Sequence, residues 1–531
     1  MLNVWEFAQQ QSPQEIPYSS GIDIPSALIP GAGDDVYVSQ SGSGSQSGAN
    51  AANSHSLSWL NNASNWGTGV GQIGPGDTVH LVGTISSQLT VQGSGTSGSP
   101  IVIRFEDDAK FSAATFSSYC IYMASRDYIV IDGGSNGIIE CTDNGSPSTT
   151  RYSDYGGGYN PQGYIDNPFT YQNSPFGVYI EGGSYVEVKN LTIQNLYVRY
   201  TLTDDDRYYA RCVQSYGAEY VYVHDVTCDN ASKGVELSTI SGGELLHELY
   251  VYDSTFTGCS TAVTICLGTD NSNIDGCAIA GCRISAQTNW DGILPNGEWH
   301  HNDGIHNWGR PGRQHDQITN MRIYNNWIGP DIGRSVSGWI YIEFGCYLPH
   351  IFNNILFGTS PSYPALGYIC VGGTGMSDGN HGWYVYNNTI YDWIRATGIL
   401  VTAADSPASY IYNNIVGNCS ISIAYQEAAE ITACDYNIIY RNTGSLNFGL
   451  GGNINIVNQA TWEAAGYDQN SVYSIVSLDS EYRGPEDGVW VDAGTNTPAS
   501  WFSAVGYEKD YTGSTRQANS ILDIGAYEQQ T

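Results

Sequence analysis

A short pattern of alternating strand residues, an Asn or Asp at the polar step and further apolar residues recurs along the chain. Its clearest copy is MRIYNNWIGP at 321–330, where Asn325 occupies the polar step. Further copies carry Asn or Asp at the equivalent position: Asn190, Asp225, Asp253, Asn353, Asn387 and Asn413. Successive positions are 26 to 35 residues apart, except for one interval of 72 residues that would hold more than one turn. A unit repeated at this spacing predicts a solenoid or a propeller.

The length of the unit decides between these two folds. A propeller blade needs four strands in roughly 40–50 residues, whereas 26–28 residues hold about three short strands. We therefore predict an all-β chain that forms a single right-handed parallel β-helix. In such a coil the Asn side chains of successive turns would stack about 4.8 Å apart and bond along the stack. The Asn pairs are accordingly interpreted as structural.

The repeat also suggests how the chain is organised. Residues 1–33 are polar and irregular, and we predict an N-terminal arm that packs on the solenoid or on a neighbouring subunit. Residues 34–445 form the predicted β-helix, and residues 446–531, where the repeat decays, form strands and a cap over the last open rung. Long loops are expected at about 140–176, 196–210 and 284–320.

The composition narrows the classes of partner. Only 13% of the residues are charged and the net charge is −33, so the chain should repel nucleic acid and anionic membranes. There is no run of 18 apolar residues that would span a membrane. A polyanionic sugar would need a local basic patch or bound Ca²⁺. Asp204, Asp205 and Asp206 are the candidate calcium ligands, and the alternative is an exposed acidic turn.

Twelve cysteines are scattered without a CxxC pair or a zinc-type cluster. Several lie less than one coil apart, which would allow disulfides between neighbouring turns and would indicate an oxidising, extracellular location. Those pairs are Cys212/Cys228, Cys259/Cys282, Cys266/Cys277 and Cys419/Cys434. The alternative is that the cysteines are buried free thiols that fill the core of the coil.

Several short strings carry a resemblance to a known group of proteins. They are PGDTVHLVGT (75–84), GTSGSPIVI (95–103), YIVIDGG (128–134) and DIGAYE (523–528). With the YVS–SGS opening before them, they resemble the right-handed parallel β-helix proteins of the pectate-lyase-like superfamily over about residues 34–531. The resemblance implies a polysaccharide lyase or glycoside hydrolase, or else a phage tailspike, an adhesin or a surface-layer component.

The densest group of polar residues is NGEWHHNDGIHNWGRPGRQHD at 296–316. Asp303 is expected to begin a strand, on which His306 and Trp308 would share one face. The matching strand of the next coil, GWIYIEFG at 338–345, would place Glu343 one rung from His306 or Asn307. A carboxylate on such an apolar strand requires solvent or a partner. We predict that this cluster is the functional site.

Two mechanisms could use these groups. A uronate lyase needs a base and cations, which His306 with Arg310 or Arg313 would supply. A hydrolase needs two carboxyl groups roughly 5–10 Å apart, for which Asp303 and Glu343 are the candidates. The resemblance adds one point, because NDGI (302–305) is similar to the NTDG string of polygalacturonase-like hydrolases, and this implies a catalytic role for Asp303.

Aromatic residues are concentrated around the same cluster, and flat rings can stack on the apolar faces of sugar rings. We assign substrate binding to Trp299, Trp308, His301 and Arg313. The leading hypothesis is an extracellular carbohydrate-active protein that binds a polysaccharide and cleaves it. The alternative is a non-enzymatic structural protein, such as a filament subunit that self-associates through the N-terminal arm, an adhesin or a phage tail component.

Overall fold

The computed structural model describes most of the chain. The described residues are 20–143, 175–196, 210–285, 303–310, 317–330, 337–343, 345–358, 367–371, 382–391, 396–402, 409–426, 431–451, 454–479, 482–485, 488–516 and 521–529. Strands dominate these residues, and they form three long sheets of 13, 14 and 12 strands, here called sheets 1, 2 and 3.

The strands of each sheet lie in chain order, except that His55–Ser56 is the edge strand of sheet 2 beside Asp35–Ser39. Sheet 1 contains Leu89–Val91, Tyr119–Ala124, Phe176–Glu181, Arg211–Tyr216, Lys233–Ser238, Thr261–Cys266, Asp303–Asn307, Gly338–Ile342, Gly367–Val371, Thr397–Val401, Ile421–Tyr425, Phe448–Leu450 and Asn455–Val457. Sheet 2 contains Asp35–Ser39, His55–Ser56, Thr78–Leu81, Ile101–Phe105, Ile129–Asp132, Ser184–Lys189, Glu219–His224, Leu245–Tyr252, Asn273–Ala280, Ile318–Tyr324, His350–Phe352, Trp383–Tyr386, Ser409–Tyr412 and Ala433–Asp435. Sheet 3 contains Thr84–Ile85, Lys110–Ala113, Ile138–Cys141, Thr192–Gln194, Thr227–Asp229, Thr255–Thr257, Arg283–Ser285, Trp327–Ile328, Ile355–Phe357, Thr389–Tyr391, Ile415–Gly417 and Ile438–Tyr440.

Within the described residues, the helices are short and lie toward the two ends of the chain. The α-helices are Leu57–Leu60, Gln459–Ala464 and Ala499–Val505, and the 3₁₀ helices are Ser26–Leu28, Ala51–Asn53 and Ala63–Asn65. Among the described residues, none of these helices has the length and apolar character needed to cross a bilayer.

The chain visits the three sheets in a fixed order. One turn runs from Phe176–Glu181 in sheet 1 to Ser184–Lys189 in sheet 2 and Thr192–Gln194 in sheet 3, and the next turn begins in sheet 1 again. Within each sheet the strands of successive turns pair in parallel, as in Val186 with Val221. The right-handed parallel β-helix predicted from the sequence is therefore confirmed.

The core fills the inside of the coil. In each strand alternate side chains point inward, so that Val, Ile and Leu of successive turns stack in columns. All twelve cysteines are buried free thiols. The predicted disulfides are therefore wrong in this structure. Ten of the thiols pack in the apolar interior of the coil, as the alternative expects, whereas Cys266 and Cys370 are buried on the outer face of sheet 1.

The recurring Asn pair has two separate roles. The first residue of each pair turns the chain from sheet 2 to sheet 3 with a left-handed backbone, with φ of 57° at Asn325 and 56° at Asn353. Gly281 takes this position within the long 72-residue interval, with φ of 66°, and so supplies the expected extra turn. Asn is among the few residues that adopt this conformation readily.

The second Asn of each pair forms the predicted ladder. Asn326, Asn354, Asn388, Asn414 and Asn437 are completely buried. The amides of the first four donate to the next Asn Oδ1 at 2.9, 2.9, 3.0 and 3.2 Å in turn. Asn437, which follows Tyr436 and ends the ladder, donates to Asp468 at 2.9 Å. Each Oδ1 also accepts the backbone N–H of the preceding turn, for example from Asn354 to Asn388 at 3.0 Å. The ladder thus satisfies buried backbone groups at each turn.

The described parts of both terminal segments pack on the coil. Ser20 donates to Asp253 at 3.1 Å, and Leu28 is buried against the outer face of sheet 2. At the other end Trp462, in the helix Gln459–Ala464, stacks on Phe448 at 4.9 Å and closes the core as a cap. The described residues of 488–529, here called the C-terminal strap, then return along the outside of sheets 2 and 3.

Candidate functional site

The outer face of sheet 1 carries the predicted cluster. Asp303–Asn307 pairs with Gly338–Ile342 so that His306 lies beside Tyr341. Ile305 and Asn307 point inward, and the Asn307 Oδ1 accepts the backbone N–H of Ile265 at 2.8 Å. His306 therefore points outward, and it shares its face with Trp308 at 4.7 Å between ring centroids.

His306 lies between two carboxylates. Its Nδ1 is 3.3 Å from Asp303 Oδ2 and its Nε2 is 3.3 Å from Glu343 Oε2. Burial opposes protonation of the ring, but the hydrogen bonds to Asp303 and Glu343 outweigh it and raise the pKa of His306 to about 9. His306 is therefore an imidazolium at neutral pH, and the predicted one-rung separation from Glu343 is confirmed.

Glu343 is an ionised carboxylate with two donors. The Tyr341 hydroxyl donates to its Oε1 at 2.6 Å, and the His306 imidazolium contacts its other oxygen. Burial alone would raise the pKa of Glu343, but the hydrogen bond and charge of His306 lower it below the usual value. The side chain is 23% exposed, so one edge of the carboxylate reaches the surface.

Asp303 has a different environment from Glu343. It begins its strand, as expected, and its side chain is completely buried. Its Oδ1 accepts the backbone N–H groups of Ser337 and Gly338 at 3.0 Å each, while Oδ2 faces His306. Asp303 thus holds the next strand and the imidazolium in place, and it does not reach a molecule on the surface in this arrangement.

A second charged group lies beside the site and was not predicted. Arg211 and Lys233 both donate to the buried carboxylate of Glu236, and these cations hold the pKa of Glu236 at about 2 against the effect of burial. The Lys233 ammonium also lies 5.1 Å from the centre of the Trp308 ring. One indication of this group was present in the sequence: Lys233, one of only four lysines in the chain, lies three residues before Glu236.

The other predicted site residues are placed as follows. Arg310 lies at the edge of the cluster, where it donates to the Gly268 carbonyl and is 3.9 Å from Asp270. Trp299, His301 and Arg313 lie outside the described residues, as do the predicted calcium ligands Asp204, Asp205 and Asp206. Within the described parts of the chain, no group of three or more His, Cys, Asp and Glu side chains is arranged to hold a metal ion.

The fold and the site define a parallel β-helix with a carboxylate and an imidazolium paired on its outer face. No protein-family model and no curated protein matches the chain. The solved structure of pectate lyase Pel9A is similar, at 13% identity over 97% of this chain and 98% of that chain, with a TM-score of 0.43. An exopolygalacturonase from Thermotoga maritima matches at 9% identity over 76% and 85%, with a TM-score of 0.35.

A GH136 lacto-N-biosidase from Eubacterium ramulus matches at 11% identity over 75% of this chain and 65% of that chain, with a TM-score of 0.36. None of these three similarities exceeds 13% identity or reaches a TM-score of 0.5. They therefore assign no activity to the present chain, whose chemistry must be sought in its own residues.

Proposed function

We propose that this chain is a carbohydrate-active protein that binds a polysaccharide across the outer face of sheet 1 and hydrolyses it with Glu343. The observation that carries the proposal is the environment of Glu343, a partly exposed carboxylate oriented by Tyr341 and His306. Trp308 and Tyr341 add aromatic surface beside it, which suits the apolar face of a sugar ring. Strands repeat about every 4.8 Å along the coil, so a linear polymer could follow this face.

The protonation states favour hydrolysis over elimination. A carboxylate whose pKa is below its usual value is a weak base for a carbon acid, but it can orient and deprotonate a water that attacks the anomeric carbon. His306 retains its proton at neutral pH, and it serves as the acid for the departing oxygen once its Nε2–H turns from Glu343 to the bound substrate. Elimination with His306 as the base would require pH values near 9 or above.

The proposal can be tested by incubating the full chain at pH 7 with neutral and uronate polysaccharides. Reducing ends and unsaturated products are measured separately, for the unmodified chain and for Glu343→Gln. The matched control is Glu140→Gln on sheet 3, because Glu140 is also a partly buried carboxylate, 15% exposed, that accepts hydrogen bonds from Lys110, Ser112 and Gln194.

We expect reducing ends without unsaturated products, a loss of at least a hundredfold in Glu343→Gln, and little change in Glu140→Gln. Release of unsaturated products at neutral pH would contradict hydrolysis. No release from any polymer, with unchanged polymer binding in Glu343→Gln, would refute the proposed site and would favour the structural alternative.

A further inference from the structure

A second groove lies on the outer face of sheet 2, away from Glu343. Its floor is formed by the strands Ile318–Tyr324, His350–Phe352 and Trp383–Tyr386, and one wall is the helix Ala499–Val505 of the C-terminal strap. The groove has a volume of about 460 Å³. This is in the range of roughly 300–1,000 Å³ that is usual for small-molecule sites.

Arg322 provides the positive charge of this groove. Its Nη1 donates to the Val505 carbonyl at 3.0 Å and its Nη2 donates to the Tyr250 hydroxyl at 3.3 Å. A guanidinium has five N–H groups, so these two contacts fix its position and leave donors for a ligand. Among the described residues, no carboxylate lies within 4.0 Å of Arg322, and the same is true of Arg104, Arg126, Arg283 and Arg441, whereas Arg211, Arg483 and Arg516 each have one. Of these unpaired arginines, Arg322 is the one that lines this groove.

Two carboxylates on neighbouring strands of sheet 2 accept hydrogen bonds from uncharged groups and not from Arg322. Asp275 accepts hydrogen bonds from Thr319 at 2.8 Å and Asn320 at 2.6 Å, and Glu248 accepts one from the Tyr222 hydroxyl. In a chain with 52 carboxylates and 19 lysines and arginines, a cation without an acidic partner in a groove indicates an anionic ligand.

Aromatic rings line the rest of the groove. Tyr384 stacks on His350 at 4.5 Å and contacts Trp501 at 4.8 Å, while Tyr347 at the rim is 39% exposed. His350 adds no charge, because burial and then the nearby Arg322 lower its pKa to about 4. The groove thus combines one fixed cation with flat, partly exposed apolar surfaces.

We infer that this groove is a non-catalytic site for an acidic sugar residue, a pyranose that carries a carboxylate. Arg322 binds the carboxylate through two parallel N–H donors, and the rings of Tyr347 and Trp501 cover an apolar face of the sugar. The site goes beyond the proposed hydrolysis, since it lies on a different sheet and does not require a cleaved bond.

Binding of methyl β-D-glucuronide to the full chain is measured by calorimetry and by tryptophan fluorescence, beside methyl β-D-glucoside, acetate and inorganic phosphate. We expect a dissociation constant on the order of 1 mM for the glucuronide and at least tenfold weaker binding of the glucoside and acetate. Arg322→Gln should lose at least tenfold in affinity, and Arg322→Lys should lose less because one charge remains.

Arg283→Gln is the matched control, because Arg283 on sheet 3 also lies over an aromatic ring, that of Trp327 at 5.7 Å. If Arg322→Gln fails to fold, Tyr347→Ala at the exposed rim replaces it, with an expected loss of several-fold. Equal affinity for the glucoside, or phosphate binding as tight as that of the glucuronide, would overturn the inference. Loss of binding in Glu343→Gln but not in Arg322→Gln would assign the sugar to sheet 1 and would overturn it too.

Discussion

His306 on sheet 1 and His350 on sheet 2 both lie on the outside of the coil, but they carry opposite charge states. His306 lies between Asp303 and Glu343, whose hydrogen bonds raise its pKa to about 9 against the effect of burial. Burial and the charge of Arg322 lower the pKa of His350 to about 4. At pH 7 the first ring is therefore an imidazolium and the second is neutral.

This difference shows how one repeated strand pattern produces two kinds of surface. On sheet 1 the carboxylates outnumber the single imidazolium, and Glu343 presents negative charge at the surface. On sheet 2 the neutral His350 leaves Arg322 as the charge in the groove. Both places consist of parallel strands of the same coil, so the outward side chains of neighbouring turns determine the chemistry of each face.

The largest expected effect is a loss of hydrolytic activity that occurs when a histidine on sheet 1 is replaced but not when one on sheet 2 is replaced. His306→Gln removes the proposed acid and one of the two donors to Glu343, and we expect hydrolysis of a polysaccharide that the unmodified chain cleaves to fall about a thousandfold. His224→Gln is the control, because His224 also lies between two carboxylates, Asp225 at 2.7 Å and Glu187 at 2.9 Å, but on sheet 2. Equal losses in both variants would mean that the effect is structural and not catalytic.

The next largest effect is a loss of stability when the Asn ladder inside the coil is interrupted. The Asn388 side chain accepts two hydrogen bonds from Asn354 and donates to the carbonyl of Ile351 and to Asn414, all within the core. Asn388→Leu leaves these groups unpaired, and we expect a loss of about 3–4 kcal/mol in the free energy of unfolding by urea. The loss should be the same at pH 6 and pH 9, since none of these groups titrates in that range.

Val226→Ala is the matched variant in the earlier turns. Val226 occupies the equivalent inward position three turns before Asn326 and is buried in the apolar core of the coil. Its truncation removes buried methyl groups and should cost about 1–2 kcal/mol, clearly less than Asn388→Leu. Equal costs would show that the Asn ladder adds nothing beyond packing.

The sequence predicted the parts of the site that depend on strand register. Strand register supports the predicted approach of Glu343 to His306 or Asn307, because a one-residue slip would turn Ile305 and Asn307 out of the core. The observed register pairs His306 with Tyr341, and Glu343 reaches His306 diagonally from the next strand. Asp303 was correctly placed at the strand entry. Its burial was not foreseen, because it depends on the backbone N–H groups of Ser337 and Gly338, which approach only in the folded coil.

The groove on sheet 2 could not be predicted in the same way. One of its walls belongs to the C-terminal segment, which the decaying repeat identified only as a cap. Arg322 meets Val505 across 183 residues of sequence, and Asn325 donates to the Tyr507 hydroxyl across 182. Such contacts depend on the path that the strap follows outside the coil. The alternation of apolar and polar residues along the strands does not predict that path.

A smaller effect tests the charge of His306 through stability. Its pKa rises from 6.5 to about 9 on folding, so the stabilisation is fully present below pH 6.5 and is lost as the pH rises to about 9. The shift corresponds to roughly 3 kcal/mol. Urea unfolding should therefore show that the unmodified chain loses more stability between pH 6 and pH 9.5 than His306→Gln does. Parallel curves for the two proteins would contradict the imidazolium.

The smallest expected effect has the opposite sign and comes from His350. Its folded pKa of about 4 lies below 6.5, so the neutral ring stabilises the fold above pH 6.5 and this contribution is lost as the pH falls to about 4. His350→Phe keeps a ring against Tyr384 but cannot be protonated. Between pH 7 and pH 4 we expect the unmodified chain to lose roughly 2 kcal/mol more than this variant, with allowance for partial exposure of the ring. Deprotonation of His306 lowers the stability of the fold at alkaline pH, and protonation of His350 lowers it at acid pH. If both histidines lowered the free energy of unfolding in the same pH range, the two faces would not differ in charge.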